Sequence, residues 1–374
     1  MTKQKTKTSI PIYTPWITDL EKEYANKALS SGWISSKGEF IEQFEDLFAK
    51  YIGVKYAVSV CNGSAACHLC LVASDIGQAE VLCPTLTFVA TANAIANSNN
   101  KPVFMDSNVL TWNCDTPVNE ELINQDVKAI FAVHLLGNPV NYLYLKDLCK
   151  RYNLILIEDA CESLGAYYKS GPTAKKKMTG SWGLCSAFSF WGNKSLTIGC
   201  GGMLCTDDEN VYQQAKLYRD SGTPDKKNPY DHTVIGFNYS LSNIHAAIGV
   251  AQMIRIEEIQ QQKKRVWDRY WAKLKDGMQF TPKNHVHSHW MIAVLVNDYA
   301  KAKKALAKNG VDSRPMFTRM SQLTPYRYCA KTKDDQISEY LEKQVLMLPS
   351  YPELPDFEID RICDIVKPYL EENL

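Results

Sequence analysis

No apolar run in this 374-residue chain reaches the ~20 residues a membrane-spanning helix needs. Neither sign of charge dominates: 42 Lys and Arg stand against 41 Asp and Glu, a net of +1. That balance excludes a surface built for nucleic acid or for an anionic membrane. The short basic cluster AKKKM at 174–178 reads as a solvated loop. The opening MTKQKTKTSIPIY is polar and lacks the apolar region of a secretory leader. Paired metal-ligand spacing is missing too: CHLC at 67–70 has no second CxxC to complete a zinc site, so no metal is expected. The 12 cysteines are scattered through apolar segments of a long chain, unlike the framework of a small secreted domain. They read as buried, reduced thiols, and the expected compartment is the cytoplasm.

What the chain does have is apolar residues in the right order. Hydrophobic residues make up 45%, ample for a large core and two lobes. Strand-like runs alternate with helical ones: YAVSV (56–60), EVLCP (80–84), KPVFMD (101–106), VKAIFAVHLLG (127–137), LILIEDA (154–160), CSAFSF (185–190) and GGMLCTD (201–207). Near-continuous apolar strands interleaved with helices imply a parallel or mixed sheet covered on both faces, an α/β architecture. Ligands in such sheets bind beyond the carboxyl ends of strands. After about residue 240 the pattern changes to one long amphipathic helix, NIHAAIGVAQMIRIEEIQQQKKRVWDRYWAKLKDG, followed by a smaller α+β segment. The expected division is a large domain over residues 1–250 and a smaller one over 251–374.

One lysine stands out. Lys194, in FSFWGNKSLTIGCGGM, follows an apolar run and precedes a glycine-rich turn. The phosphate-loop pattern needs glycine directly before its lysine, and here Asn193 stands there. The alternatives are a solvated surface amine and a nucleophile. Three other segments favour the second. NGSAA, at a strand-to-helix turn, offers backbone N–H groups and a hydroxyl to a phosphate. IEDACE ends a buried strand with carboxylates that can hold a protonated ring nitrogen, and Phe88 can stack on a ring face. A phosphate cradle, a ring-nitrogen carboxylate, a stacking aromatic and an imine-forming lysine together describe a pyridoxal phosphate (PLP) site.

These segments, with GWISSKGEFIEQFEDLFAKYIGVKYAVSVCNGSAA, PTLTFVATANAI, AVHLLGNPV, GFNYSLSNIHAAIG, SRPMF and LPSYPEL, make the chain resemble the DegT/DnrJ/EryC1/StrS sugar aminotransferases over nearly its whole length. The resemblance implies PLP-dependent transferase fold type I, aspartate aminotransferase-like, and a cofactor that passes through pyridoxamine phosphate. It implies that Lys194 is the imine lysine and proton shuttle, and that Asp159 pairs with the pyridinium nitrogen. Glu162 would sit near the phenolic oxygen and Phe88 on the ring. Gly63, Ser64, Ala65 and Ser189 would hold the phosphate, with Asn238 reaching the neighbouring subunit's phosphate in a homodimer. The donor would be L-glutamate and the acceptor a nucleotide-linked keto-sugar. The likeness is to enzymes that aminate C4 of 4-keto-6-deoxyhexoses, of the perosamine or viosamine type.

Some positions depart from the family's pattern. Ser221, Ser240 and Ser321 stand where relatives carry His, Gln or Arg, which bears on the substrate contacts, among which Arg219 and Arg314 are candidates. The carrier base stays open between GDP and UDP or dTDP. Three other readings share the scaffold: a 3-keto sugar aminotransferase, a PLP-dependent dehydratase, and a non-catalytic PLP-binding regulator. The presence of Lys194 argues against the dehydratases, which replace the imine lysine with histidine.

Overall fold

The computed structural model describes residues 9–171, 176–224, 228, 230–332 and 335–371. The strands are Tyr56–Val60 (β1), Glu80–Pro84 (β2), Lys101–Met105 (β3), Val127–Val133 (β4), Ile155–Asp159 (β5), the short Tyr167–Tyr168 (β6) and Lys177–Met178 (β7), Cys185–Ser189 (β8), Gly202–Thr206 (β9), His285–Val286 (β10), Ile292–Leu295 (β11), Arg314–Pro315 (β12) and Val345–Leu348 (β13). The α-helices are Asp19–Ser31 (α1), Glu39–Ile52 (α2), Gly63–Ala73 (α3), Ala90–Asn97 (α4), Tyr142–Tyr152 (α5), Glu209–Arg219 (α6), Asn243–Ile254 (α7), Ile256–Leu274 (α8), Tyr299–Lys308 (α9), Gln336–Gln344 (α10) and Asp356–Val366 (α11). Of the basic cluster at 174–178, Ala174 and Lys175 lie outside the described residues, while Lys177 and Met178 pair with β6.

A seven-stranded sheet, in the order β1-β9-β8-β5-β4-β2-β3, is the frame of the molecule. β3, β2, β4, β5 and β8 run parallel, and β9 runs antiparallel between β8 and β1. β1 therefore points the same way as β8, and the carboxyl ends of β1, β5 and β8 share one edge. The sheet is buried on both faces because successive side chains alternate between them. From β8, Cys185 and Ala187 pack with α3, while Phe188 and the following Phe190 pack with α2. Phe48 meets Phe188 and Phe190 edge-on at 5.0 and 5.1 Å. Helix α3 has apolar residues all round and is correspondingly enclosed, with only Ser64 and the last turn reaching out.

The long helix read from NIHAA to LKDG is two helices, α7 and α8, broken at Arg255. Arg255 leaves helical geometry at ψ 7°, and its guanidinium is drawn to Glu21 (2.8 Å), to Glu258 (3.0 Å) and onto the Trp16 ring (4.3 Å). Beyond the break, α8, α9 and α11 cover an antiparallel sheet ordered β11-β13-β12, with Trp267, Tyr270, Leu274, Ile359 and Ile362 between them. The chain's beginning joins this part: Ile10 pairs with Val311.

Candidate active site

The shared carboxyl edge opens into a cleft of about 540 Å³. One wall is the start of α3. Asn62 caps that helix, its side chain accepting from the Ala65 N–H at 2.9 Å, and the Asn62 carbonyl accepts from the Ala66 N–H. The N–H groups of Gly63 and Ser64 make no hydrogen bond among the described residues. They point out of a helix N-terminus, where the dipole favours negative charge. Gly63 is required by proximity: a Cβ there would lie 2.6 Å from Cβ of Ser189, at the end of β8. The two hydroxyls, Ser64 and Ser189, flank these amides in the cleft lining.

Asp159, the last residue of β5, forms the floor and is 5% exposed. Its carboxyl accepts from the Thr91 hydroxyl (2.7 Å), the Cys161 N–H (3.1 Å) and the Cys67 thiol (3.7 Å). One turn on, Glu162 accepts the Leu136 N–H at 2.8 Å. Burial pushes the Glu162 carboxyl up to about 7, against the opposing pull of Lys194 and of that N–H. Lys194 enters from the opposite side, on the turn after β8, with its side chain 14% exposed. Its Nζ lies 4.0 Å from Glu162 Oε1 and 3.9 Å from the centroid of the Trp290 ring. Phe88 stands over the opening, 55% exposed, edge-on to Phe317 at 5.9 Å.

Of the residues singled out from the sequence, Gly63, Ser64, Phe88, Asp159, Glu162, Ser189, Lys194 and Arg314 line this cleft. Arg314, on the exposed edge of β12, makes no ion pair among the described residues. Three others do not line it. The Ala65 amide is taken by the Asn62 cap. Arg219 is paired with Glu45 (3.0 Å) and Asp220 (2.8 Å), and so is engaged within its own chain rather than turned to the cleft. Asn238 sits in a backbone bridge to Asp220. Ser321 is buried, donating to Asp335 at 2.6 Å, and Ser240 donates to Asp220 at 2.8 Å. Sequence reading missed Thr91, Leu136 and Trp290. Thr91 had a weak signal, a hydroxyl three residues past Phe88; Trp290 had none, because it arrives from a segment nearly a hundred residues away.

The residues fit PLP. Two unpaired amides, two hydroxyls and a glycine with no room for a side chain make an anion subsite, and a carboxyl and an amine stand deeper in the same cleft. A model of the DegT/DnrJ/EryC1/StrS aminotransferase family matches residues 15–367. GDP-perosamine synthase of Escherichia coli O157:H7 is 36% identical over 97% of this chain and 99% of its own. GDP-perosamine synthase of Caulobacter vibrioides is 37% identical over 94% and 96%. Among solved structures, E. coli GDP-4-keto-6-deoxy-D-mannose-3-dehydratase with bound hydrated PLP superimposes with a TM-score of 0.87 at 23% identity, over 96% of this chain and 99% of that one. The chain belongs to the DegT/DnrJ/EryC1/StrS aminotransferase family and has its PLP-dependent, fold type I architecture.

Proposed function

We propose that this family member transfers the amino group of L-glutamate to C4 of a 4-keto-6-deoxyhexose carried on a nucleoside diphosphate, with GDP favoured over UDP or dTDP. The observation that carries the reading is the convergence of Lys194, Glu162 and Asp159 in one cleft beside the open amides of α3. The choice of sugar and carrier is supported by the two GDP-perosamine synthases that match the chain over almost its full length.

PLP, when bound, supplies an aldehyde with which amines condense and a ring that takes up the electron pair left when a Cα proton departs. The chain's residues do the rest. The Gly63 and Ser64 amides, with the Ser64 and Ser189 hydroxyls, hold the phosphate. Asp159 pairs with the ring nitrogen, and Thr91 and the Cys161 N–H fix the carboxyl so that it needs no reorganisation. Lys194 Nζ takes the Cα proton of glutamate, whose nitrogen stays behind in the cleft for transfer while water supplies the keto oxygen of the departing 2-oxoglutarate. In the return half Nζ delivers a proton to C4 of the sugar. Phe88 covers the ring, and Arg314 offers its free guanidinium to the anionic part of a substrate.

The same reading includes a cytoplasmic homodimer with shared sites and a lobe division near residue 250. Asn238 lies outside its own chain's cleft, available to a partner's phosphate, and Ile235 nearby is 92% exposed. No helix among the described residues is long and apolar enough to cross a membrane. The test is to incubate holoenzyme and glutamate with 4-keto-6-deoxy sugars on GDP, UDP and dTDP. Released 2-oxoglutarate is measured, and the new C–N bond is located by NMR. Amination of the GDP sugar at C4 is expected, with none in Lys194→Ala; amination only of 3-keto isomers overturns the assignment.

A further inference from the structure

Behind the cleft, α8 buries a second lysine. Lys263 is 1% exposed and makes no ion pair among the described residues. Its Nζ donates to the carbonyl of Trp290 at 2.7 Å and to that of Ser350, and it stands 5.2 Å from the Tyr13 ring. Its titratable neighbours give it no counter-charge. His287 and His289 precede Trp290 on the same segment, and burial pushes both imidazoles down. Tyr270, one side of α8 further on, donates its hydroxyl to the Pro349 carbonyl. An amine this desolvated, pushed down to about 7 by burial, is a costly way to satisfy two carbonyls.

The two aromatic residues beside Lys263, Trp290 through its carbonyl and Tyr13 through its ring, lead to the same place. The Trp290 indole N–H donates to the carbonyl of Asn193 at 2.7 Å, and the Tyr13 hydroxyl donates to the carbonyl of Lys194 at 2.9 Å. The peptide groups on both sides of the Lys194 Cα are thus gripped by residues seated on Lys263. The Trp290 face also lies 3.9 Å from Lys194 Nζ, and an indole face attracts an ammonium group.

We propose that Trp290 is the wall against which the reacting amine of Lys194 rests, and that Lys263 is a positioning residue that holds Trp290 and Tyr13 so that Nζ is aimed at Asp159 and Glu162. The inference rests on the aminotransferase reading. Lys194 must reach a carbonyl carbon, leave it, and then move protons while staying in the cleft. A backbone clamped at both neighbouring carbonyls leaves only the side chain to swing, and the indole face gives the released amine a defined resting position. An error of about 1 Å in such a group costs on the order of 100-fold in rate.

The experiment mixes apo-protein with PLP and follows visible absorbance, with borohydride trapping to count PLP fixed on Lys194. Steady-state kinetics with glutamate and tryptophan emission on PLP binding are recorded for the same proteins. Trp290→Leu is expected to capture PLP about 100-fold more slowly and to lose kcat by a similar factor, with KM for glutamate within about threefold. Trp290→Phe keeps an aromatic face and loses the N–H, so it should fall between Leu and wild type. Lys263→Met, close in length and without donors, should slow capture about tenfold with a kcat loss of the same size. Wild type should show a larger quench of emission by PLP than Trp290→Phe does. If the variants melt like wild type and capture PLP at its rate, the inference is overturned and the aminotransferase reading stands. If wild type itself fixes no PLP on Lys194, both fall.

Discussion

Glu158 and Glu162 are both buried, on either side of the same strand end, and their carboxyl groups are treated in opposite ways. Glu158, turned away from the cleft, accepts from the N–H groups of Gly180 (2.7 Å), Trp182 (2.7 Å) and Gly183 (2.6 Å), and from the Tyr142 hydroxyl. The Val140 N–H donates to His134 Nδ1, which leaves the ring proton on Nε2, 3.1 Å from Glu158. Burial alone would raise this acid, but the His134 and Tyr142 contacts and the amides outweigh it and hold Glu158 below the ordinary carboxylate range. Glu162 has one N–H, from Leu136, and a lysine at 4.0 Å. Even that N–H is obtained with strain, since Leu136 sits at φ 56° in the left-handed region. The next residue, Gly137, admits no side chain: a Cβ would lie 2.0 Å from Ser288 Oγ. Donor count separates the two acids: a surplus builds structure, and a shortage leaves a group free to react.

Asp159 lies between these extremes, with three donors, from α4, α3 and the turn after β5, and one face open to the cleft. The largest effect is expected there. Asp159→Asn keeps the shape and removes the charge that the ring nitrogen needs, so kcat/KM should fall about 1,000-fold or more, some 4 kcal/mol of transition-state stabilisation. The fold should survive, because the Thr91 hydroxyl still finds an oxygen. An Asn variant within tenfold of wild type would show that the carboxyl does not face the ring nitrogen.

On the other side of β5 the order of effects should invert. Glu158→Gln replaces an acceptor oxygen by an amide that must face one of the buried donors. The expected loss is about 3 kcal/mol of stability, read as a lower urea midpoint at unchanged slope, with kcat per folded molecule within about threefold of wild type. A variant equally stable but inactive would place Glu158 in the chemistry and erase the contrast.

The chain's pattern reveals one side of this comparison far better than the other. Apolar runs such as YAVSV and LILIEDA carry their own evidence of burial, and NGSAA, Asp159 and Lys194 sit at strand ends where local order places them. The family resemblance added roles to those residues. The break at Arg255 was hidden because both helices continue one amphipathic pattern, and only the tertiary pull of Glu21 and Trp16 interrupts it. Trp290 and Tyr13 reach Lys194 from distant segments, and no local spacing encodes such contacts. The pair ED in LILIEDA could not say which acid faces the cleft; strand alternation sends Glu158 and Asp159 to opposite faces.

The smallest effect separates the two glutamates by the sign of their pH dependence. Glu162 titrates at about 7 in the folded chain, above the ~4.3 of an unfolded glutamate. Between those values the folded state binds more protons than the unfolded one. The stability that the neutral carboxyl allows is fully present below the unfolded value and is lost as pH rises through about 7, with a slope approaching 1.4 kcal/mol per unit at most. Glu158, held low, behaves in the opposite way: its contribution is present above the unfolded value and disappears as pH falls through its folded one. Glu162→Gln cannot ionise, so in the apo-protein its unfolding free energy should gain on wild type by about 1–3 kcal/mol as pH rises from 4.5 to 8. Urea unfolding of both apo-proteins across that range measures the difference. A gap that stays constant with pH would mean that Glu162 carries an ordinary carboxyl, and that one N–H and a neighbouring lysine are donors enough to keep it ionised.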